Sequence, residues 1–194
     1  GVAITYAMNE IMDRGVGRIT ETLDALGLAD DTILMFTSDN GPAFATRPDQ
    51  VPAGMSPDLY HTRRYNCGFN GQKGSVYEGG IRVPMIMRWR GGLEGGRQVD
   101  ELVHGMDWLP TLAGLCGVER PGGRPLDGRD AAALLRGAGD DAPARFWQLN
   151  QFQPVGWINA AMREGPWKLV RPHLAQTPKS DADKRVMERY VELD

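Results

Sequence analysis

Thr32-Ile33-Leu34-Met35-Phe36-Thr37-Ser38-Asp39-Asn40-Gly41 reads as a short apolar run delivered into a polar corner. The run from Thr32 to Thr37 has strand length and does not alternate apolar with polar residues. Strands covered on both faces, as in a parallel sheet, have that pattern. Its end, Ser38-Asp39-Asn40-Gly41, sets a carboxylate beside a carboxamide. In open α/β sheets, ligands bind in the crevice at the carboxyl ends of strands. Asp39 and Asn40 offer hard oxygen donors of the kind Ca²⁺ or Mg²⁺ takes. The same four residues also make an Asx turn, which closes a strand without any ligand.

Upstream, residues 5–27 predict one amphipathic helix. Ile4, Met8, Ile11, Met12, Val16, Ile19, Leu23 and Leu26 recur at spacings of three and four. Glu10 and Arg14 lie one turn apart and are expected to pair. Gly27 suits the residue just past the helix end. Gly15 and Gly17 weaken the middle of the helix and are read as places of close packing against a sheet. Helix, polar turn and non-alternating strand together form half of a βαβ unit.

Downstream, residues 41–72 carry little periodicity and include Pro42, Pro48, Pro52 and Pro57. Long loops of this kind in compact domains are commonly functional. His61, Arg63 and Arg64 lie in it as candidates to bind an anionic or sugar group, against the alternative of a solvated loop. A glycine-rich cluster follows, Gly71-Gln72-Lys73-Gly74-Ser75-Val76-Tyr77-Glu78-Gly79-Gly80-Ile81-Arg82-Val83-Pro84. A lysine between small residues approaches an anion closely and meets it as a point charge. A solvated lysine on a turn is the alternative for Lys73. The spacing is not that of a Walker loop. Arg82 is expected to support this turn through Glu78. The next strand is predicted at Val83–Trp89, with Pro84 marking an early or edge position.

Further on, Asp107 is expected to cap a helix reaching Cys116, and residues 130–136 form another short one. Gly139-Asp140-Asp141-Ala142-Pro143 is linker-like and divides the chain into 1–140 and 141–194. Phe146–Leu149, Trp157–Met162 and Trp167–Val170 are three short strands, the last two joined as a hairpin at Glu164-Gly165-Pro166. Trp147, Trp157 and Trp167 are read as the core of that sheet. A late helix is expected at Asp183–Tyr190. The fold class is therefore α/β, a parallel-sheet portion followed by a small α+β subdomain with a short antiparallel sheet.

Composition narrows the classes. The chain has 194 residues, 41% of them apolar, and no apolar run of membrane-spanning length. Its 25 acidic and 22 basic groups leave a net charge of −3, which gives no reason to expect nucleic acid. Two cysteines, Cys67 and Cys116, do not decide a redox compartment, and Cys116 is read on the apolar side of its helix. The compartment and the oligomeric state stay open. Gly1 opens directly onto a helical pattern, and Tyr190-Val191-Glu192-Leu193-Asp194 ends without a cap, so a piece of a longer protein is expected.

Taken in order, several pieces resemble the sulfatase branch of the alkaline phosphatase-like superfamily. They are Met12-Asp13-Arg14-Gly15-Val16-Gly17-Arg18-Ile19, Phe36 through Gly41, Gly74 through Pro84, Met106 through Gly114, Leu126-Asp127-Gly128-Arg129 and Met162 through Val170. The resemblance implies that Asp39 and Asn40 ligate a divalent cation, Ca²⁺ or alternatively Mg²⁺ or Mn²⁺. It implies that Lys73 contacts a sulfate oxygen and the leaving-group oxygen. The reaction implied is hydrolysis of a small-molecule or glycan sulfate ester through a formylglycine, made from Cys or Ser in a Cys/Ser-x-Pro-x-Arg motif. Neither Cys67-Gly68-Phe69 nor Cys116-Gly117-Val118 matches that motif, so the nucleophile is expected outside these residues. A phosphonate or phosphate monoester hydrolase, and a non-catalytic binder of a cation or sulfated glycan, are the alternatives.

Overall fold

The computed structural model describes residues 2–43, 66–119, 125–139, 143–149 and 159–171. Helix α1 spans Val2–Ala25, and strand β1 spans Leu34–Thr37. A single turn of helix, α2, covers Glu78–Ile81 and leads into strand β2, Met85–Arg88. A 3₁₀ turn at Gly105–Asp107 runs straight into α3, Trp108–Leu115. Helix α4 is Ala132–Leu135. Strands β3 (Arg145–Gln148), β4 (Ala160–Glu164) and β5 (Trp167–Arg171) form an antiparallel sheet in that order.

The ends of α1 form as its sequence dictates. Gly27 adopts a positive φ of 66°, its N–H donates to Asp24 O at 3.1 Å, and Leu28 N donates to Leu23 O at 2.9 Å. This is the paired bonding that satisfies the last carbonyls of a helix. Arg14 bonds Glu10 on the exposed side, as expected. The carboxylate of Asp24 receives Arg90 at 2.7 Å and Arg88 at 3.7 Å, which ties the end of α1 to the end of β2. Trp89 adds a bond from its indole N–H to Asp30 O at 2.8 Å. Close packing against Gly15 and Gly17 is not found: no described residue comes within 4 Å of a Cβ built on either.

The described pair of the first sheet is antiparallel. β1 pairs with β2 antiparallel, from Leu34 opposite Arg88 to Thr37 opposite Met85. No parallel partner of β1 is among the described strands. Non-alternation marks two covered faces and carries no information on the direction of any one neighbour. The one-turn helix α2 reverses the chain at Gly79-Gly80 and delivers β2 back along β1. Pro84 sits just before β2, where it costs no ladder donor.

Among the described residues, the buried set comes from the segment before α2, from α3 and α4, and from the β3–β5 sheet with its approach. Val76, Leu115, Ala131, Leu134 and Ala161 are buried. So are the polar residues Asp107, Thr111, Arg145 and Asn159. Strand alternation puts Arg145, Trp147, Ala161, Lys168 and Val170 on one face, and Phe146 and Leu169 on the other. Phe146, Leu169 and Trp167 are exposed, so Trp167 is not core as expected. Trp147 is half-buried, 5.2 Å from the His104 ring. The β4–β5 hairpin turns at Gly165-Pro166 as predicted, with Gly165 at φ 52°.

Asp107 also differs from its predicted role. It precedes α3, but its side chain caps no N–H of that helix. Its carboxylate instead receives His104 N at 2.8 Å, Arg129 N at 2.9 Å and the Arg145 guanidinium at 2.5 Å. Thr111 Oγ1 donates to Asp107 O at 2.6 Å and accepts from Ala131 N at 2.9 Å. A carboxylate this buried holds its charge only when fully paired, and the arginine from β3 completes the set. Cys116 is exposed at the end of α3, and Cys67 is exposed as well. Trp157, residues 140–142 of the predicted linker Gly139–Pro143, and the predicted helix at Asp183–Tyr190 lie outside the described residues.

Candidate functional site

Antiparallel pairing decides which loops meet. It places the carboxyl end of β1 beside the amino end of β2. The segment leaving β1, residues 38–43, therefore lies against the segment entering β2, residues 70–82. Parallel strands would have put these two segments at opposite ends of the pair.

Two backbone hydrogen bonds join the segments. Gly41 N donates to Gly80 O, and Lys73 N donates to Pro42 O, both at 2.9 Å. Gly41 is buried, and a Cβ built on it would stand 1.8 Å from Gly79 O. Only glycine permits this backbone approach.

Each segment is also fixed internally. Asp39 Oδ1 accepts from Asn40 N at 3.0 Å, Asn40 Nδ2 donates to Gly41 O at 3.0 Å, and Ser38 Oγ donates to Asn40 O at 2.9 Å. Lys73 and Gly74 occupy the centre of a turn closed by Ser75 N donating to Gln72 O at 3.0 Å. Gly74 has φ 89°, the positive value a type II turn demands at its third position. Ser75 Oγ donates to Gln72 O at 2.9 Å and accepts from Gln72 N at 3.2 Å. The turn is closed by these hydrogen bonds while the Lys73 side chain is exposed.

These bonds use only part of the oxygen donor capacity of Asp39 and Asn40. Among the described residues nothing donates to Asp39 Oδ2 or Asn40 Oδ1, so each side chain keeps an oxygen for an ion. The pair fits a share of a Ca²⁺, Mg²⁺ or Mn²⁺ shell. Ca²⁺ takes roughly six to eight oxygens, and the described residues hold no group of three His, Cys, Asp or Glu able to bind a metal. Further donors would come from outside them.

Glu78 and Arg82 lie one helical turn apart and approach each other, and Glu78 has a second partner. Arg82 Nη1 lies 3.7 Å from Glu78 Oε2, and its guanidinium covers the Phe69 ring at 5.0 Å. Glu78 has a nearer partner in Lys168 of β5, whose Nζ stands 2.6 Å from Oε1. Lys168 also lies 5.6 Å from the Trp147 ring. His61, Arg63 and Arg64 lie outside the described residues.

Sequence reasoning missed Asn159. It is 2% exposed at φ 53°, just ahead of β4. Its Oδ1 accepts from Val76 N at 3.1 Å, and its Nδ2 donates to Gly74 O at 3.0 Å and to Leu149 O at 3.1 Å. The available signal was slight: an Asn beside a strand start, of the residue type that tolerates positive φ. His104 accepts from Met106 N at 3.2 Å through Nδ1. Burial lowers its pKa below the ordinary value, Asp107 pulls it upward, and Arg145 pushes it down.

Residues 5–118 match the family model described as Sulfatase. Residues 68–173 match the model described as N-sulphoglucosamine sulphohydrolase, C-terminal. The chain is 44% identical over 155 residues to steryl-sulfatase of Mus musculus, covering 78% of this chain and 24% of that protein. The chain therefore spans about a quarter of this relative's length. Among solved structures, PsFucS1 sulfatase from Pseudoalteromonas sp. is 30% identical, with a TM-score of 0.56 over 79% of this chain and 28% of that one. A Bacteroides thetaiotaomicron protein, from a genetic locus for metabolism of multiple glycosaminoglycans, is 26% identical. Its TM-score is 0.62 over 94% of this chain and 42% of that one.

Proposed function

This chain belongs to the sulfatase family, and from that premise we propose that the whole protein hydrolyses a sulfate ester, with Lys73 and the Asp39–Asn40 pair on one site. The observation that carries the reading is the Lys73 N to Pro42 O hydrogen bond, which holds a lysine turn against a loop of oxygen donors. In this reading Lys73 meets a sulfate oxygen and the oxygen of the departing alcohol. A fixed ammonium stabilises charge that grows on those oxygens in the transition state. Asp39 and Asn40 would hold a divalent cation, Ca²⁺ first, and Mg²⁺ or Mn²⁺ otherwise. When bound, the ion supplies charge neutralisation at the sulfate group. The formylglycine nucleophile implied by the family belongs to sequence outside these 194 residues. The substrate class is a small-molecule or glycan sulfate ester. The division into 1–140 and 141–194 is retained as part of this reading.

The test is turnover of an aryl sulfate and an aryl phosphate by the intact protein, with bound cation measured by elemental analysis. The reading expects sulfate turnover to exceed phosphate turnover, and Asp39→Ala to lose both cation and activity. Preferred cleavage of the phosphate would overturn the sulfate assignment. Unchanged cation content in Asp39→Ala would overturn the ligand assignment.

A further inference from the structure

Lys73 is exposed and makes no described side-chain contact that would aim it. Its aim therefore depends on its backbone. One side of that backbone is held by Pro42 O. The other side is held from across the molecule. The amide of Asn159 accepts from Val76 N and donates to Gly74 O, so it grips two peptide groups just after Lys73. Its third bond, to Leu149 O, anchors it to the residue that follows β3, and Leu149 N returns a bond to Asn159 O at 3.1 Å. All three bonds are buried or partly buried, where losing a partner is costly. The residue also sits at φ 53°, a conformation uncommon outside glycine and mostly adopted by Asn and Asp. A left-handed backbone with an amide bonded through both its oxygen and its nitrogen marks a place where the fold holds a group against its local preference.

Resting on the reading of Lys73 given above, we propose that Asn159 is a positioning residue that sets the Lys73 ammonium from the β3–β5 sheet. The small sheet then acts as part of the active site without touching substrate. Lys168 reinforces the same clamp two residues beyond the Lys73 turn's buried Val76, by pairing with Glu78 at the start of α2. Both contacts cross from the sheet to the segment entering β2, so the turn is held between the sheet and the loop leaving β1.

The test is a double-mutant cycle in the intact protein with Asn159→Gly and Lys73→Ala. Glycine keeps the positive φ and removes only the amide. Asn159→Asp is the second variant: it keeps the shape and the acceptor but sets an oxygen against two carbonyls. Turnover is counted per natively folded molecule, from the amplitude of the unfolding transition. Two substrates are used, an aryl sulfate and an alkyl sulfate, the second having the poorer leaving group.

Asn159→Gly is expected to lower kcat by about 10- to 100-fold, the scale of a sub-ångström to ångström misplacement. The loss is expected to be larger for the alkyl sulfate, because that leaving oxygen depends more on the lysine. In the Lys73→Ala background, Asn159→Gly is expected to add no more than about twofold, since independent effects would multiply in full. Equal factors in both backgrounds, or unchanged turnover per folded molecule in both Asn159 variants, would overturn the inference alone. Full turnover by Lys73→Ala would overturn the assignment of Lys73, and the inference with it.

Discussion

The main-chain N–H of Lys73 donates to the carbonyl of Pro42 at 2.9 Å, so a lysine turn and a loop of oxygen donors share one backbone hydrogen bond. Main-chain contact makes the relation independent of side-chain rotamers. It follows from the antiparallel pairing of β1 and β2, which brings the exit of one strand to the entrance of the other. In the proposed reading, a cation held by Asp39 and Asn40 and the Lys73 ammonium would be two positive charges on adjoining segments. An anion that presents two oxygens, such as a sulfate ester group, would suit that pairing.

Gly41→Ala should damage the site through its backbone. The new Cβ would stand 1.8 Å from Gly79 O, so one segment must move away from the other. The expected cost is about 1–3 kcal/mol, the range for overpacking a tight contact. Urea unfolding of the variant would report it, and bound cation should fall in the same protein. A variant of native stability and native cation content would show that the segments adjust freely.

Asp107→Ala should be among the most destabilising single changes. It removes the partner of the buried Arg145 guanidinium and the acceptor for the His104 and Arg129 N–H groups. Breaking a buried pair from one side costs about 3–5 kcal/mol. Replacing both partners, with Asp107→Leu and Arg145→Met, should cost less than the two single losses added. Equal or greater loss in the double variant would mean that the two residues do not act as a pair.

Stability should fall with acid through His104. Burial lowers its pKa in the folded chain, and the neutral Nδ1 accepts from Met106 N. Between the lowered folded value and the ordinary value near 6.5, the unfolded chain binds the proton and the folded chain does not. The stabilisation is whole above that ordinary value and is lost as the pH falls through the folded one. Urea midpoints measured from neutral pH down past this window should decline, and His104→Asn should flatten that part of the curve. An unchanged slope in the variant would assign the decline to other groups.

Much of the architecture was legible in the sequence because it is local. The spacing from Ile4 to Leu26 specified α1, Gly27 its end, and Glu164-Gly165-Pro166 the β4–β5 hairpin. The segments bearing Asp39, Asn40 and Lys73 stood out by their chemistry. Strand direction was not legible, since an apolar run such as Ile33–Phe36 reads the same beside either kind of neighbour. Asp107 showed a cap signal, yet its charge answers Arg145, 38 positions along the chain. Asn159 and Lys168 were missed for the same reason, as their partners lie 83 to 90 positions away. Periodicity reports one element at a time, and these bonds join elements.

The central claim is that Lys73 acts on the reacting anion and not on the fold. Lys73→Ala in the intact protein, measured by kcat on an aryl sulfate beside the thermal midpoint, tests it most directly. The account predicts a loss of about 10²-fold or more in kcat, the scale of removing one oxyanion donor, with the midpoint essentially unmoved. Normal turnover per folded molecule, together with a marked drop in the midpoint, would contradict it.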